Sequence, residues 1–113
     1  MAKVLVTGGC GIAGRAVARH LVAAGHAVRL ADMAPPPNGW HGEYVRCDTR
    51  GRDDVDDAVR GCDAVVHLAA WHCAHVPPVS DETIFAVNVD GTFQLFEACR
   101  RHRVSTVAFA SSM

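Results

Sequence analysis

The chain has 113 residues, half of them apolar and a fifth charged, which gives room for one domain around a modest core and not for two. Its net charge of −1 supplies no electrostatic footprint for nucleic acid or an anionic membrane, and no apolar run approaches a membrane span. No nucleic-acid or membrane partner is therefore expected.

Met1-Ala2-Lys3 enters a strand at once, without the charged-then-apolar layout of a signal peptide, so a cytoplasmic protein is expected. The strand Lys3 to Thr7 runs into four glycines within seven positions, Gly8, Gly9, Gly11 and Gly14. Ile12, Ala16, Val17, Leu21 and Ala24 then mark one face of a helix, with Gly25 placed as its cap. Ala27 to Ala31 reads as a second strand closing on Asp32, and the prolines of Ala34 to Gly39 as a surface loop. Glu43 to Cys47 is a short third strand ending at Asp48. Gly51 to Arg60 suits a short amphipathic helix, and its aspartates Asp53, Asp54, Asp56 and Asp57 read as a solvated face.

Ala64 to Ala70 is apolar enough for a fourth strand buried on both faces. After a loop through Trp71 to Pro78, Ser80 is a good N-cap for a helix running to Arg103. Thr106 to Ala110 is a fifth strand. The alternation β-α-β-β-α-β-α-β implies an α/β fold of the Rossmann type, a doubly wound parallel sheet with right-handed crossovers. The expected strand order is 3-2-1-4-5, and ligands of such sheets sit where the order reverses, outside the carboxyl ends of the first and fourth strands.

Gly9, Gly11 and Gly14 fit G-x-G-x-x-G, a pattern that carries weight only between a strand and a helix, as here. Asp32 lies eighteen residues past Gly14, near the offset of about 20 at which an acid meets an adenosine ribose. A carboxylate there accepts from a free ribose diol and repels a 2′-phosphate, and Met33 stands where a phosphate site wants Arg or Lys. NAD is favoured over NADP. No G-K-[ST] follows, so the turn is not a P-loop.

Thr7-Gly8-Gly9-Cys10-Gly11-Ile12-Ala13-Gly14 resembles the T-G-x-x-G-x-x-G fingerprint of the extended short-chain dehydrogenase/reductase superfamily, the NAD-dependent epimerase/dehydratases. Asp32, Cys47-Asp48, His67-Leu68-Ala69-Ala70, Asn88-Val89-Asp90-Gly91-Thr92 and Phe109-Ala110-Ser111-Ser112 match further pieces in order. The resemblance implies that Gly8, Gly11, Ile12 and Ala13 bring backbone to the pyrophosphate. It implies Asp32 at the adenosine ribose, Asp48 and Thr49 at the adenine, and Leu68, Ala69 and Ala70 along the middle of the cofactor. His72 falls near the nicotinamide side. Asn88 is either a positioning group beside the site or a helix residue that fixes neighbouring backbone. Ser112 matches the hydroxyl that holds a substrate's reacting oxygen.

The family's acid/base is a tyrosine in a Y-x-x-x-K motif beyond that serine, and no such motif stands before Met113. The only tyrosine is Tyr44 and the only lysine is Lys3. The resemblance therefore implies that residues 1–113 are an incomplete NAD-binding Rossmann domain of an epimerase, dehydratase or dehydrogenase of sugars, nucleotide sugars or similar polyols. Inactivity alone is expected, with a small-molecule substrate only if the missing part is supplied. The alternatives are a stand-alone NAD-binding or sensing module, and a truncated product that self-associates through the bare edge of its fifth strand.

Other constellations point less far. The cysteines Cys10, Cys47, Cys62, Cys73 and Cys99 are odd in number and never in a C-x-x-C pair, which favours reduced, mostly buried thiols. His72, Cys73 and His75 lack a second pair at zinc spacing, and no metal is expected. His67 reads as a satisfied core histidine. Cys10, at a helix N-terminus, is expected to have a lowered pKa.

Overall fold

The computed structural model describes residues 1–71 and 78–111. The apolar run after Met1 forms β1 (Lys3–Thr7), and the glycines turn it into α1 (Ile12–Ala23). β2 (Ala27–Asp32) and β3 (Glu43–Arg46) follow, then α2 (Arg52–Val59) and β4 (Ala64–His67). The last helical stretch comprises α3 (Asp81–Phe85), a π-helical segment (Ala86–Asp90) and α4 (Gly91–Arg101), ahead of β5 (Thr106–Phe109). All strand pairs are parallel, and the order is β3-β2-β1-β4-β5, as expected.

β1 is the hub. Thr7 pairs with Ala31 on one side and His67 on the other, and the side chains of β1 alternate between two cores. Leu5 belongs to the core that α2 and α4 close, with Val55, Val59, Val65, Leu95, Ala98 and Cys99. Val4 and Val6 belong to the other, with Ala18 of α1 and with Val28 and Leu30 of β2. No helix lies between β2 and β3. Instead Trp40 and Tyr44 pack against the α1-side core, while the Trp40 indole donates to the Glu43 carbonyl (2.9 Å) and the Tyr44 hydroxyl to that of Ala34 (2.6 Å). Two aromatic anchors hold the proline loop where a crossover helix would otherwise cover the sheet.

Four local expectations change. β4 stops at His67 because the backbone beyond it is gathered by Thr7, whose carbonyl and hydroxyl both accept from Leu68 N–H (3.2 and 3.0 Å). The long helix is interrupted by the π segment, in which the Gly91 N–H reaches back to the Ala86 carbonyl, five residues away. It also ends early, with Arg103 in the left-handed region (φ 58°) and Val104 N–H closing onto the Cys99 carbonyl (2.8 Å). The acidic face of α2 is not merely solvated. Asp54 accepts from Asp48 N–H (3.0 Å), and Asp56 ties α2 to the end of α4 through Arg101 and His102, both at 3.0 Å.

His67 is a core histidine, as expected. Its side chain is 2% exposed, and burial pushes its pKa down from 6.5 to about 4. Folded His67 therefore stays neutral while the unfolded chain takes a proton near pH 6.5. Stability is full above pH 6.5 and falls as the pH drops towards 4, by at most roughly 3 kcal/mol at 1.36 kcal/mol per unit. Urea denaturation between pH 7 and pH 5 should show this loss, with a shallower slope in His67→Gln. A second expectation concerns Leu95, 1% exposed in the α4-side core. Leu95→Ala should cost about 2–5 kcal/mol in the same assay. Phe93→Ala, at a position 60% exposed, should cost under about 0.5 kcal/mol.

Candidate dinucleotide site at the strand-order reversal

β1 and β4 stay paired to their carboxyl ends, at Thr7 and His67, and the glycine turn packs against the backbone that leaves β4. Gly8 has φ 65°, and a Cβ there would lie 3.0 Å from both Ala69 N and the Leu68 carbonyl carbon. A Cβ on Gly14 would run into the Gly8 carbonyl oxygen, so the turn and the first turn of α1 are in backbone contact. Gly11 is the N-cap of α1 and brings no side chain to its first N–H groups. An uncapped helix start at a cleft is a ready site for an anion.

That cleft has a volume of about 380 Å³. Gly8, Gly11, Ile12 and Ala13 line it from the turn, Asp32 and Thr49 from the ends of β2 and β3, and Leu68, Ala69 and Ala70 from the exit of β4. Nine of the residues expected at the cofactor thus share one cavity. Met33, Cys47, Trp71 and Val87 line it as well, beyond those the motifs assign to the cofactor. Their signal is present only in part: Met33 and Cys47 flank the acids of the motifs, whereas Val87 reaches the cleft only through the packing of the π segment.

Asp32 does more than face the cleft. Its carboxylate accepts from Cys10 N–H (2.9 Å) inside the glycine turn and from Ala34 N–H (3.0 Å) at the start of the proline loop. Each oxygen keeps a further lone pair for a ligand hydroxyl. Asp48 is turned away, its two oxygens forked onto Arg50 (2.9 Å to Nε and 2.7 Å to the terminal nitrogen). The Arg50 guanidinium holds the Asp48 carboxyl below its usual range. Thr49 is buried against α4, where a Cβ on Gly91 would lie 2.8 Å from its hydroxyl.

Beyond Ala70 a second cleft of about 540 Å³ continues, bordered by Trp71, Asn88, Thr92, Phe109 and Ser111. Asn88 Oδ1 accepts from Trp71 N–H (2.8 Å) and Nδ2 donates to the Trp71 carbonyl (2.6 Å). This is the backbone-fixing arrangement, placed at the edge of the cleft. His67 lies beneath, with Nδ1 2.6 Å from Thr7 Oγ1, Nε2 3.2 Å from Thr92 Oγ1 and its ring stacked on Phe109. His72, Cys73, His75 and Ser112 lie outside the described residues.

The thiols depart from one expectation. The Cys10 pKa is raised, not lowered: burial outweighs the helix end, the Asp32 carboxylate adds to it, and Arg15 only opposes. Cys47, buried at the floor of the cleft, is pushed up to about 12 by burial first and then by Asp54, Asp48 and Asp32. Neither is a nucleophile near neutrality. The Tyr44 hydroxyl is committed to the Ala34 carbonyl, and burial raises its pKa, opposite to the need of a proton-transfer group. No helix among the described residues is long and apolar enough to cross a membrane.

Comparison with known proteins places this geometry. A uronate dehydrogenase from Pseudomonas putida is 33% identical over 112 residues, covering 97% of this chain and 40% of that protein. The structure of a uronate dehydrogenase mutant from Agrobacterium tumefaciens complexed with NAD superposes with a TM-score of 0.85 at 36% identity, over 99% of this chain and 41% of that one. The UDP-glucose 4-epimerase of Thermus thermophilus, also in complex with NAD, gives 0.82 at 35% identity, over 97% and 37% of the two chains. The chain thus spans about two fifths of the length of these relatives. The match to the family's pattern extends over residues 4–113, and the chain belongs to the NAD dependent epimerase/dehydratase family.

Proposed function

We propose that residues 1–113 are the NAD-binding portion of an enzyme that acts on a sugar, nucleotide sugar or similar polyol by hydride transfer. The observation that carries this reading is the Gly8–Gly14 backbone contact beside Asp32, which leaves an uncapped helix start and a carboxylate facing one cleft. Relatives solved with NAD support the ligand, and the uronate dehydrogenases among them support a sugar acid among the substrates.

NAD, when bound, supplies a hydride acceptor. The chain's own groups would bind and orient it. Backbone N–H groups at Ile12 and Ala13 would meet the pyrophosphate, and the free lone pairs of Asp32 would take the ribose diol. Leu68, Ala69 and Ala70 would form an apolar wall that excludes water along the middle of the ligand. Asp48 would serve the adenine end by ordering the loop with Arg50, and Thr49 by closing the cleft floor. His72 and Asn88 would border the nicotinamide end, and Ser112 would hold the substrate oxygen. The Tyr-x-x-x-Lys pair is not within these residues: Tyr44 is tied into the proline loop and Lys3 pairs with Glu43 at 2.8 Å. A binding module without turnover is the second reading, favoured by a cleft that the glycine turn, Asp32 and the exit of β4 form within residues 1–113.

Calorimetric titration tests both. NAD should bind in the micromolar range, about −8 kcal/mol, and NADP more weakly. Asp32→Ala should lower NAD affinity about tenfold and narrow the gap to NADP. Equal NAD and NADP affinities in the unaltered chain would overturn the Asp32 role. No NADH should form from uronates or UDP-glucose, and detectable turnover would overturn the assignment to cofactor binding alone.

A further inference from the structure

The contacts around His67 have a direction that the distances alone do not state. Thr7 Oγ1 accepts from Leu68 N–H (3.0 Å) and from Ala69 N–H (3.2 Å). A hydroxyl has two lone pairs and one hydrogen. With both lone pairs taken, the Thr7 hydrogen goes to the remaining partner, His67 Nδ1 at 2.6 Å. Nδ1 is therefore an acceptor, and the ring carries its hydrogen on Nε2, which donates to Thr92 Oγ1 at 3.2 Å. The Thr92 hydroxyl in turn donates to the Asn88 carbonyl at 2.7 Å.

The run Thr7 to His67 to Thr92 to Asn88 is thus one-way, each group donating to the next. It begins at the residue before the glycine turn and ends on the π segment, whose Asn88 side chain holds both the N–H and the carbonyl of Trp71. The opposite tautomer would aim an N–H at an oxygen whose lone pairs are filled, and a protonated ring would do the same. The partners that bond or stack on the ring, Thr7 from β1, Thr92 from α4 and Phe109 from β5, are uncharged. Nothing among them compensates a positive ring, which agrees with the burial-driven fall of its pKa.

We propose that His67 is a positioning residue: locked neutral with its hydrogen on Nε2, it sets the Asn88–Trp71 clamp from the glycine-turn side and so orders the nicotinamide half of the site. The proposal rests on the NAD-binding reading. It predicts that removing the ring's donor–acceptor polarity weakens capture of the nicotinamide half and spares the adenosine half.

The test uses the full chain, with NAD and ADP-ribose as probes, because ADP-ribose shares every group except the nicotinamide. His67→Phe keeps a flat ring against Phe109 and removes both nitrogens. It should lower NAD affinity about tenfold while leaving ADP-ribose within about twofold, and His67→Gln, with one acceptor and one donor, should restore most of the loss. Equal losses for both ligands would reduce His67 to a structural role and overturn the proposal. Thr92→Val interrupts the same run at the next group and should repeat the selective loss should His67→Phe fail to fold. Ring nitrogen spectra of the unaltered protein give an independent reading. The Nε2–H tautomer should persist from pH 8 to pH 5, and an Nδ1–H or charged ring in that range would overturn the proposal whatever the variants do. An unaltered chain that binds neither probe would instead overturn the NAD-binding reading, and the positioning role with it.

Discussion

Three hydrogen bonds meet at the Thr7 hydroxyl, and the geometry of the whole crevice depends on them. At a point where strand order reverses, the chain leaving β1 and the chain leaving β4 head to opposite faces of the sheet, and past His67 the ladder joins them through Leu68 N–H on the Thr7 carbonyl (3.2 Å). The Thr7 hydroxyl adds to that hold. It draws Leu68 and Ala69 in over the end of β1 and brings their backbone into contact with Gly8, where even a Cβ would lie only 3.0 Å away.

The site divides into a half made of backbone and a half made of a side-chain network. The half proposed for the phosphates is the glycine turn and the start of α1, where backbone lies open to the cleft because no side chain covers it. Asp32 is the exception, and it has two tasks: its carboxylate braces the turn through Cys10 N–H and faces the cleft as well. The far half depends on His67, Thr92 and Asn88, which join β4, α4 and the π segment. The π segment carries one such side-chain bond itself. The Asn88 carbonyl accepts the Thr92 hydroxyl, a side-chain bond that competes with regular helical pairing.

The sheet order, the glycine turn and most of the cleft lining were legible because they rest on short-range signals. Runs of Val, Leu and Ala mark strands, glycines mark turns, and an acid at the end of β2 falls at the cleft by topology. What was not legible depends on residues far apart in sequence. The Thr7–His67 pair spans 60 positions, and a single sequence shows neither partner seeking the other. Cys10 illustrates a competition of effects: proximity to a helix start suggests a lowered pKa, but burial and Asp32 lie on the other side of the balance and prevail. Asp48 is expected near the adenine from the family pattern, yet Arg50, two residues on, holds its carboxylate. The helix interruption left no trace in the apolar spacing.

The most direct measurement is the amide spectrum of the 113-residue chain during addition of NAD. The account predicts that the amides of Gly8, Gly11, Ile12 and Ala13 shift together with those of Leu68, Ala69 and Ala70. Val22 and Gly42, at the opposite end of the sheet, should not move. Shifts confined to that opposite end, or none at saturating ligand, would contradict the central claim that the reversal between β1 and β4 is a dinucleotide site.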